Sequence, residues 1–318
     1  MYKRRKLSGL KNLRSYYYYN SLKTLLKPTK AFPLSDENIE PFFIIGSGRS
    51  GNTLLRSILT QNKNVVIPPE SYVLGKVIHK YYHYIHMNNI TWNELCALIL
   101  ANFENHPEFK WWGIDDIWRV YKRLVNLEKK NQSLAFIIQE IYKEYAKLNN
   151  LQMKKWGDKT PLNSFSLTEI LKVFPNAKFV HLIRDGRDVV ASYKTAKLYE
   201  NVEEACDRWV DSLRHIRKFS SLLSNDFYHE VKYETLVNSP LDETKKICKF
   251  LNIGFQTEMI YRSSNIRMGD VEGLNHHKNV KNPISTSSIG KWETSLTAKE
   301  KNIVLEKCNY YLKAYYYI

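Results

Sequence analysis

The chain reads as a single α/β domain, a parallel sheet flanked by helices and carrying a helical insertion. Two stretches predict it. The apolar run Phe42-Phe43-Ile44-Ile45 flows straight into a glycine-rich turn and then an amphipathic segment. Lys178 to Ile183 repeats the pattern, running into Arg184-Asp185-Gly186 and a second helical segment. Buried parallel strands read as short continuous apolar runs, and strand–turn–helix units in series build parallel sheets.

Taken in order, low-order sequence extends to Pro33-Leu34-Ser35-Asp36, which assigns residues 1–35 to a basic N-terminal extension and 36–318 to the domain. After the first strand, Ser50 to Gln61 predicts a helix with Leu54, Leu55, Ile58 and Leu59 on one face. Asn64 to Ile67 predicts a second short strand, closed by Pro68-Pro69. Residues 71–150 are helical and aromatic in pattern, with Ile137, Ile138, Ile141, Tyr145 and Leu148 at helical spacing, and are expected to form a packing layer. After Lys178–Ile183, a helix follows from Arg187. A further strand is expected over Tyr228 to Tyr233 and a helix over Leu241 to Leu251. Residues 262–290, rich in Gly, Asn, Ser and His, predict a long loop before a last helix from Thr297 to Leu312.

Composition narrows the function classes. The 318 residues include 48 Lys and Arg against 32 Asp and Glu, a formal charge of +16. Residues 1–30 hold nine of those cations and no acid, so the body carries +7. Nucleic acid, an anionic membrane or an anionic small ligand each suit such a balance. No stretch reaches the roughly eighteen apolar residues of a membrane span, and the leader shows no apolar signal core. Cys96, Cys206, Cys248 and Cys308 lie far apart without a C-x-x-C pair, so neither a disulfide framework nor structural zinc is expected. A cytoplasmic location is the expectation.

Chemistry concentrates in Gly46-Ser-Gly-Arg-Ser-Gly-Asn-Thr53. Gly46, Gly48 and Gly51 fit the dinucleotide pattern G-x-G-x-x-G, with Glu70 nineteen residues past Gly51. Gly46, Gly51 and Thr53 equally fit the phosphate-cradling P-loop, except that Asn52 stands where its lysine belongs. Either way, backbone N–H groups and a helix start face an anion. Arg49 and Arg56 beside the turn, and the bent Pro68-Pro69 before Glu70, weigh against a dinucleotide. The missing lysine, and Arg184 where a magnesium-holding aspartate would end the strand, weigh against a nucleotide triphosphatase. Asp185 follows directly and keeps that reading open. A phosphate cradle containing arginine suits a transferred group with less charge than a phosphoryl.

Six segments carry a resemblance. Pro41 to Leu59 is similar to the 5′-phosphosulfate loop of sulfotransferases that use 3′-phosphoadenosine-5′-phosphosulfate (PAPS), and Lys178 to Ser192 is similar to their 3′-phosphate segment. Val66-Ile-Pro-Pro-Glu70, Trp156-Gly-Asp-Lys-Thr-Pro161, Val231-Lys-Tyr-Glu-Thr-Leu-Val237 and Gly290-Lys-Trp292 extend it towards the tyrosylprotein-sulfotransferase-like branch, as a soluble bacterial-type member. The resemblance implies a three-layer P-loop-type fold and PAPS-dependent transfer of a sulfuryl group to an acceptor hydroxyl of a glycan, peptide or small metabolite, releasing adenosine 3′,5′-bisphosphate. It implies that Arg49, Ser50, Gly51, Asn52 and Thr53 hold the 5′-phosphosulfate. Arg184 and Ser192 hold the 3′-phosphate, Tyr233 lies near the adenosine and Lys291 closes over the phosphates. Glu70 is the implied base, with Lys159 and Arg49 over the charge that develops. No metal and no specific nucleic acid are implied, and the leader is left for a peripheral membrane contact. Two positions depart from the branch: a cofactor-contacting serine falls at about His276-His277 and an arginine falls at Ala196. The alternatives are a drifted NTP-dependent phosphotransferase and a basic nucleic-acid or membrane-surface binder.

Overall fold

The computed structural model describes residues 32–84, 90–261, 269–273, 280 and 282–318. The basic leader to residue 31 and His276-His277 lie outside them. Five strands form one sheet: β1 (Phe42–Ile45), β2 (Val65–Val66), β3 (Lys155–Asp158), β4 (Lys178–Ile183) and β5 (Tyr228–Lys232). Their order is β2-β3-β1-β4-β5, and every pairing is parallel.

Alternation along the strands sorts the helices into two layers. Phe43 and Ile45 join one core cluster while Phe42 and Ile44 join another on the opposite face. The second face is covered by α1 (Asn52–Leu59), whose Leu55, Ile58 and Leu59 are buried there. On the first face lies the large aromatic layer built by α2 (Leu74–Tyr84), α3 (Trp92–Glu104), α4 (Trp118–Leu124) and α5 (Leu134–Leu148). It is a packing layer, as the sequence predicts. Trp112 is fully buried against Phe103, Phe109, Tyr142 and Tyr145, with ring centroids 5.1–6.2 Å away. Phe32 and Leu34 pack on this layer, and the Pro33 and Leu34 carbonyls accept from Leu134 N and Ala135 N at the start of α5.

The chain then passes through a 3-10 turn (Pro161–Phe165) and α6 (Leu167–Val173) into β4, and through α7 (Gly186–Thr195) and the 19-residue α8 (Val202–Ser220) into β5. Next come α9 (Tyr233–Asn238), α10 (Pro240–Leu251), α11 (Glu258–Tyr261), α12 (Asp270–Gly273), α13 (Trp292–Ser295) and α14 (Ala298–Ala314). α7, α8 and α14 make a third cluster in which Trp209 is sealed between α7 and α14.

Most element boundaries shift by a residue or two from expectation. The first helix starts at Asn52 rather than Ser50, because Gly51 adopts φ 96° as its N-cap. The second strand stops at Val66 before the two prolines. Absent from the sequence reading are β3 and the helices α6, α8, α9, α11 and α13. The expected loop over 262–290 contains the short α12 among its described residues. His181 is fully buried in β4, its Nδ1 2.7 Å from the Tyr228 hydroxyl and 3.2 Å from Glu230.

Candidate active site

Tight packing explains the glycine spacing. A Cβ on Gly46 would collide with the Leu182 carbonyl of β4. One on Gly48 would lie 2.6 Å from the Tyr193 hydroxyl, and one on Gly51 2.5 Å from the Tyr233 ring. Between these contacts Arg49 takes the left-handed region, φ 65°, and its Nε donates to Ser192 Oγ at 3.0 Å. Burial first, then neighbouring Arg184, lower the Arg49 guanidinium, with Tyr193 and Glu70 opposing them. Asn52 braces the turn instead of carrying charge: its Nδ2 donates to Ser47 O at 2.9 Å. Ser50 Oγ and Asn52 Oδ1 are buried without a partner among the described residues.

The end of β4 supplies the second group of cations. Arg184 lies over the Tyr233 ring at 4.6 Å, donates to Arg49 O at 3.2 Å and reaches Ser288 O. One turn on, Asp188 accepts from Gly290 N at 2.9 Å and Trp292 N at 3.0 Å. One carboxylate therefore fixes the backbone on both sides of Lys291. The charged cluster at the start of α7 splits in two. Asp185 and Arg187 form the helix-start ion pair, 2.6 Å apart, and Arg187 turns away to Tyr317 O. Arg184 and Asp188 face inward.

At the ends of β2 and β3 lies a buried set of charges. Lys159, 1% exposed, bonds the Glu70 carboxylate and donates to Thr53 Oγ1 at 3.3 Å. Asp270 Oδ2 is 3.9 Å from the same ammonium, and Asp270 Oδ1 pairs with Arg56 at 2.5 Å. Ser71 N donates to Thr160 Oγ1 at 3.0 Å, tying the two strand ends together. Burial, then the Glu70 carboxylate, push the Tyr72 hydroxyl far above its ordinary range, so it stays a hydrogen-bond donor.

These groups open on one cleft of about 1020 Å³. Arg49, Gly51, Asn52, Thr53, Glu70, Arg184, Ser192, Tyr233 and Lys291 all line it. Ser50 and Lys159 do not: Ser50 lies behind the turn and Lys159 beneath Glu70. Of the described residues in 71–150, Tyr72 alone reaches the cleft, whereas Asn282 to Ser288 form part of its rim. Sequence reasoning overlooked Tyr72, Tyr193, Asp188, Arg208 and Asp270. Only Asp188 left a usable signal, as a member of the charged run Arg184-Asp185-Gly186-Arg187-Asp188 at the helix start.

The sequence model of the Sulfotransferase family matches residues 41–257. A putative protein-tyrosine sulfotransferase of Caenorhabditis elegans is 28% identical over 197 residues, 58% of this chain and 73% of the relative. A protein-tyrosine sulfotransferase of Drosophila melanogaster is 22% identical over 262 residues, 79% of this chain but 46% of the relative. The solved sulfotransferase domain of the Synechococcus PCC 7002 olefin synthase superposes with a TM-score of 0.60 at 24% identity, covering 87% of this chain and 96% of that one, which shows a shared fold. With two thirds of its length matched by the family and the glycine turn, β4 and the Glu70 pair converging on one cleft, the chain belongs to the sulfotransferase family.

Proposed function

We propose that this sulfotransferase takes a sulfuryl group from PAPS and places it on an acceptor hydroxyl, releasing adenosine 3′,5′-bisphosphate. The observation that carries the reading is the shared cleft, with Arg184, Tyr233 and Lys291 at one end and Glu70 over Lys159 at the other.

The residues present fit such a donor. Three cations of the cleft lining, Arg49, Arg184 and Lys291, lie with the glycine-rich turn and the end of β4, and the two carboxylates of the lining are each already bonded to protein groups. Arg184 Nε is buried without a partner among the described residues, and a buried unpaired donor is costly unless a ligand meets it. Arg184, Ser192 and Lys291 would hold the 3′-phosphate end, with the Tyr233 ring beside the base. The backbone of Arg49 to Thr53 and the Arg49 guanidinium would hold the phosphosulfate. When bound, PAPS supplies an activated sulfuryl group on a good leaving oxygen. Glu70 takes the hydroxyl proton of the acceptor, which makes that oxygen a competent nucleophile. Lys159 and Arg49 then stand where negative charge grows.

The phosphotransferase reading loses its remaining support. Asp185 caps α7 and pairs with Arg187, outside the cleft lining. Asp158, ending β3, is taken by Tyr142 Oη at 2.6 Å and Asn163 Nδ2 at 2.6 Å. A cytoplasmic location belongs to the proposal, carried by the cysteine spacing, and cell fractionation checks it. A membrane contact through the leader belongs to it too; a 31–318 truncation should keep turnover and lose vesicle binding.

Thermal-shift titration with adenosine 3′,5′-bisphosphate, ATP and NAD in parallel tests the donor. The bisphosphate should stabilise the protein most and without magnesium; preferential, magnesium-dependent stabilisation by ATP would overturn the reading.

A further inference from the structure

Sheet order divides the cleft into two ends. Arg184 and Tyr233 follow β4 and β5, and Lys291 is fastened to α7 by its neighbours' bonds to Asp188. Across the glycine turn, Tyr72 follows β2 while Pro161 and Leu162 follow β3, and all three line the cleft with Glu70. This second end is where an acceptor would approach the proposed base.

Arg208 also lines the cleft. It projects from α8 where that helix packs on the 161–165 turn, and its guanidinium lies over the Phe165 ring at 4.4 Å. Its charge reaches Tyr193 and Tyr199, which also border the cleft. Among the described residues no carboxylate pairs with Arg208, and Asp207 and Asp211 of α8 are paired elsewhere, Asp211 with Arg214 at 2.7 Å and Asp207 with Lys307 of α14 at 2.8 Å. Both carboxylates of the cleft are engaged elsewhere, Glu70 with Lys159 and Asp188 with the 290–292 backbone. A guanidinium held over an aromatic face by its carbon still has N–H groups to offer, the donors that grip a carboxylate or phosphate with paired bonds.

We infer that Arg208 reads a negative group on the acceptor, so that the acceptor class is a hydroxyl compound carrying a phosphate, carboxylate or sulfate away from the reacting oxygen. The inference rests on the sulfotransferase reading of the cleft. The donor end already has Arg184, Lys291 and Arg49, whereas Arg208 stacks on Phe165 of the turn that follows β3. Tyr72, Tyr193 and Tyr199 line the cleft as well, aromatic surface suited to a flat or ring-bearing acceptor body.

The test uses the full chain saturated with adenosine 3′,5′-bisphosphate, titrated calorimetrically with phenyl phosphate, benzoate, phenyl sulfate and phenol. Wild type should bind the anionic probes about tenfold tighter than phenol, the scale of one charge-assisted contact. Arg208→Gln and Arg208→Ala should abolish that difference, Arg208→Lys should keep part of it, and affinity for the bisphosphate should stay within about twofold in all three. Ranking among the three anions identifies the group preferred. Phenol binding as tightly as phenyl phosphate would overturn the inference, as would an anion preference that survives Arg208→Gln. So would loss of bisphosphate affinity in the variants, which would assign Arg208 to the donor. A wild type that does not bind the bisphosphate defeats the donor reading instead; the same titrations on nucleotide-free protein then decide the role of Arg208.

Discussion

Asp188→Asn should loosen the lid of the donor end without unfolding the protein. The wild-type carboxylate is 2% exposed and accepts two backbone N–H groups, at 2.9 Å from Gly290 and 3.0 Å from Trp292, with Arg184 Nη2 3.8 Å away. Asparagine keeps the volume but has one acceptor oxygen, so its amide N–H₂ must face one of the two donors. One charge-assisted bond is lost, about 1.5–3 kcal/mol. Were all of it expressed in binding, adenosine 3′,5′-bisphosphate affinity would fall about 10- to 150-fold. Other contacts hold the segment: Trp292 lies under Arg187 at 4.4 Å, and Lys194 donates to Ser295 O at 3.2 Å. Some of the loss therefore falls on the free protein, and about tenfold weaker binding is expected. Calorimetry on wild type, Asp188→Asn, Lys291→Ala and the double variant separates the routes. If Asp188 acts by placing Lys291, the double variant binds within about twofold of Lys291→Ala alone. Penalties that multiply towards about a hundredfold, or an Asp188→Asn variant indistinguishable from wild type, would refute the reasoning.

Glu70→Gln should cut kcat by about 10²- to 10⁴-fold, the usual worth of a positioned base, while bisphosphate affinity is kept; a near-normal kcat removes Glu70 from that role. Gly51→Ala places a Cβ 2.5 Å from the Tyr233 ring at φ 96°, so the urea midpoint should fall by the equivalent of about 1–3 kcal/mol, and nucleotide affinity should drop as Tyr233 is displaced. Burial alone would raise the Glu230 carboxyl, but the bonds from His181 and Tyr228 outweigh it and hold it below the usual carboxylate range. Its contribution to stability is then present above about pH 4.5 and lost as pH falls through the lower native value. Acid titration of Glu230→Gln followed by circular dichroism should show that part of the acid limb missing, and an unchanged limb would contradict it.

The parts of the fold legible in sequence are those whose signal is local. β1 and β4 are apolar runs ending in glycine or arginine, and the helices after them show a clean buried face. β3 has no such signature, because Lys155-Trp156-Gly157-Asp158 contains two charges and a glycine. It is a strand for tertiary reasons: Gly157 lies under the Phe42 ring, where a Cβ would be 2.6 Å away, and Trp156 packs on Tyr142 at 4.1 Å. Its place between β2 and β1 is a long-range fact that no window of sequence contains. The site divides in the same way. Arg49 to Thr53, Arg184 and Ser192 sit at ends of legible elements, whereas Glu70 after two prolines looks like a cap and owes its assignment to resemblance. Asp270 comes from a stretch 200 residues beyond Glu70 and acquires meaning only through the Arg56 and Lys159 ammonium and guanidinium groups it meets.

That last contact bears on how a buried base can work. Glu70, Lys159, Asp270 and Arg56 alternate in sign and sum to zero, so no charge in the set is uncompensated. Removing any member would leave a buried charge exposed to a low-dielectric surrounding, a loss of about 3–5 kcal/mol, far more than the pair itself contributes. The balance changes when Glu70 accepts a proton: the set then carries one net positive charge, centred on Lys159. Asp270 cannot absorb it fully, since its other oxygen is committed to Arg56 at 2.5 Å while Lys159 stays 3.9 Å away. The remaining neighbour of that ammonium is Thr53 Oγ1 at 3.3 Å, part of the glycine-rich turn. Proton uptake at Glu70 thus raises positive potential at the turn in the same step. In the mechanism we propose, the base and the electrostatic stabiliser are thus coupled through one buried lysine, which lets Lys159 serve from beneath the carboxylate without lining the cleft.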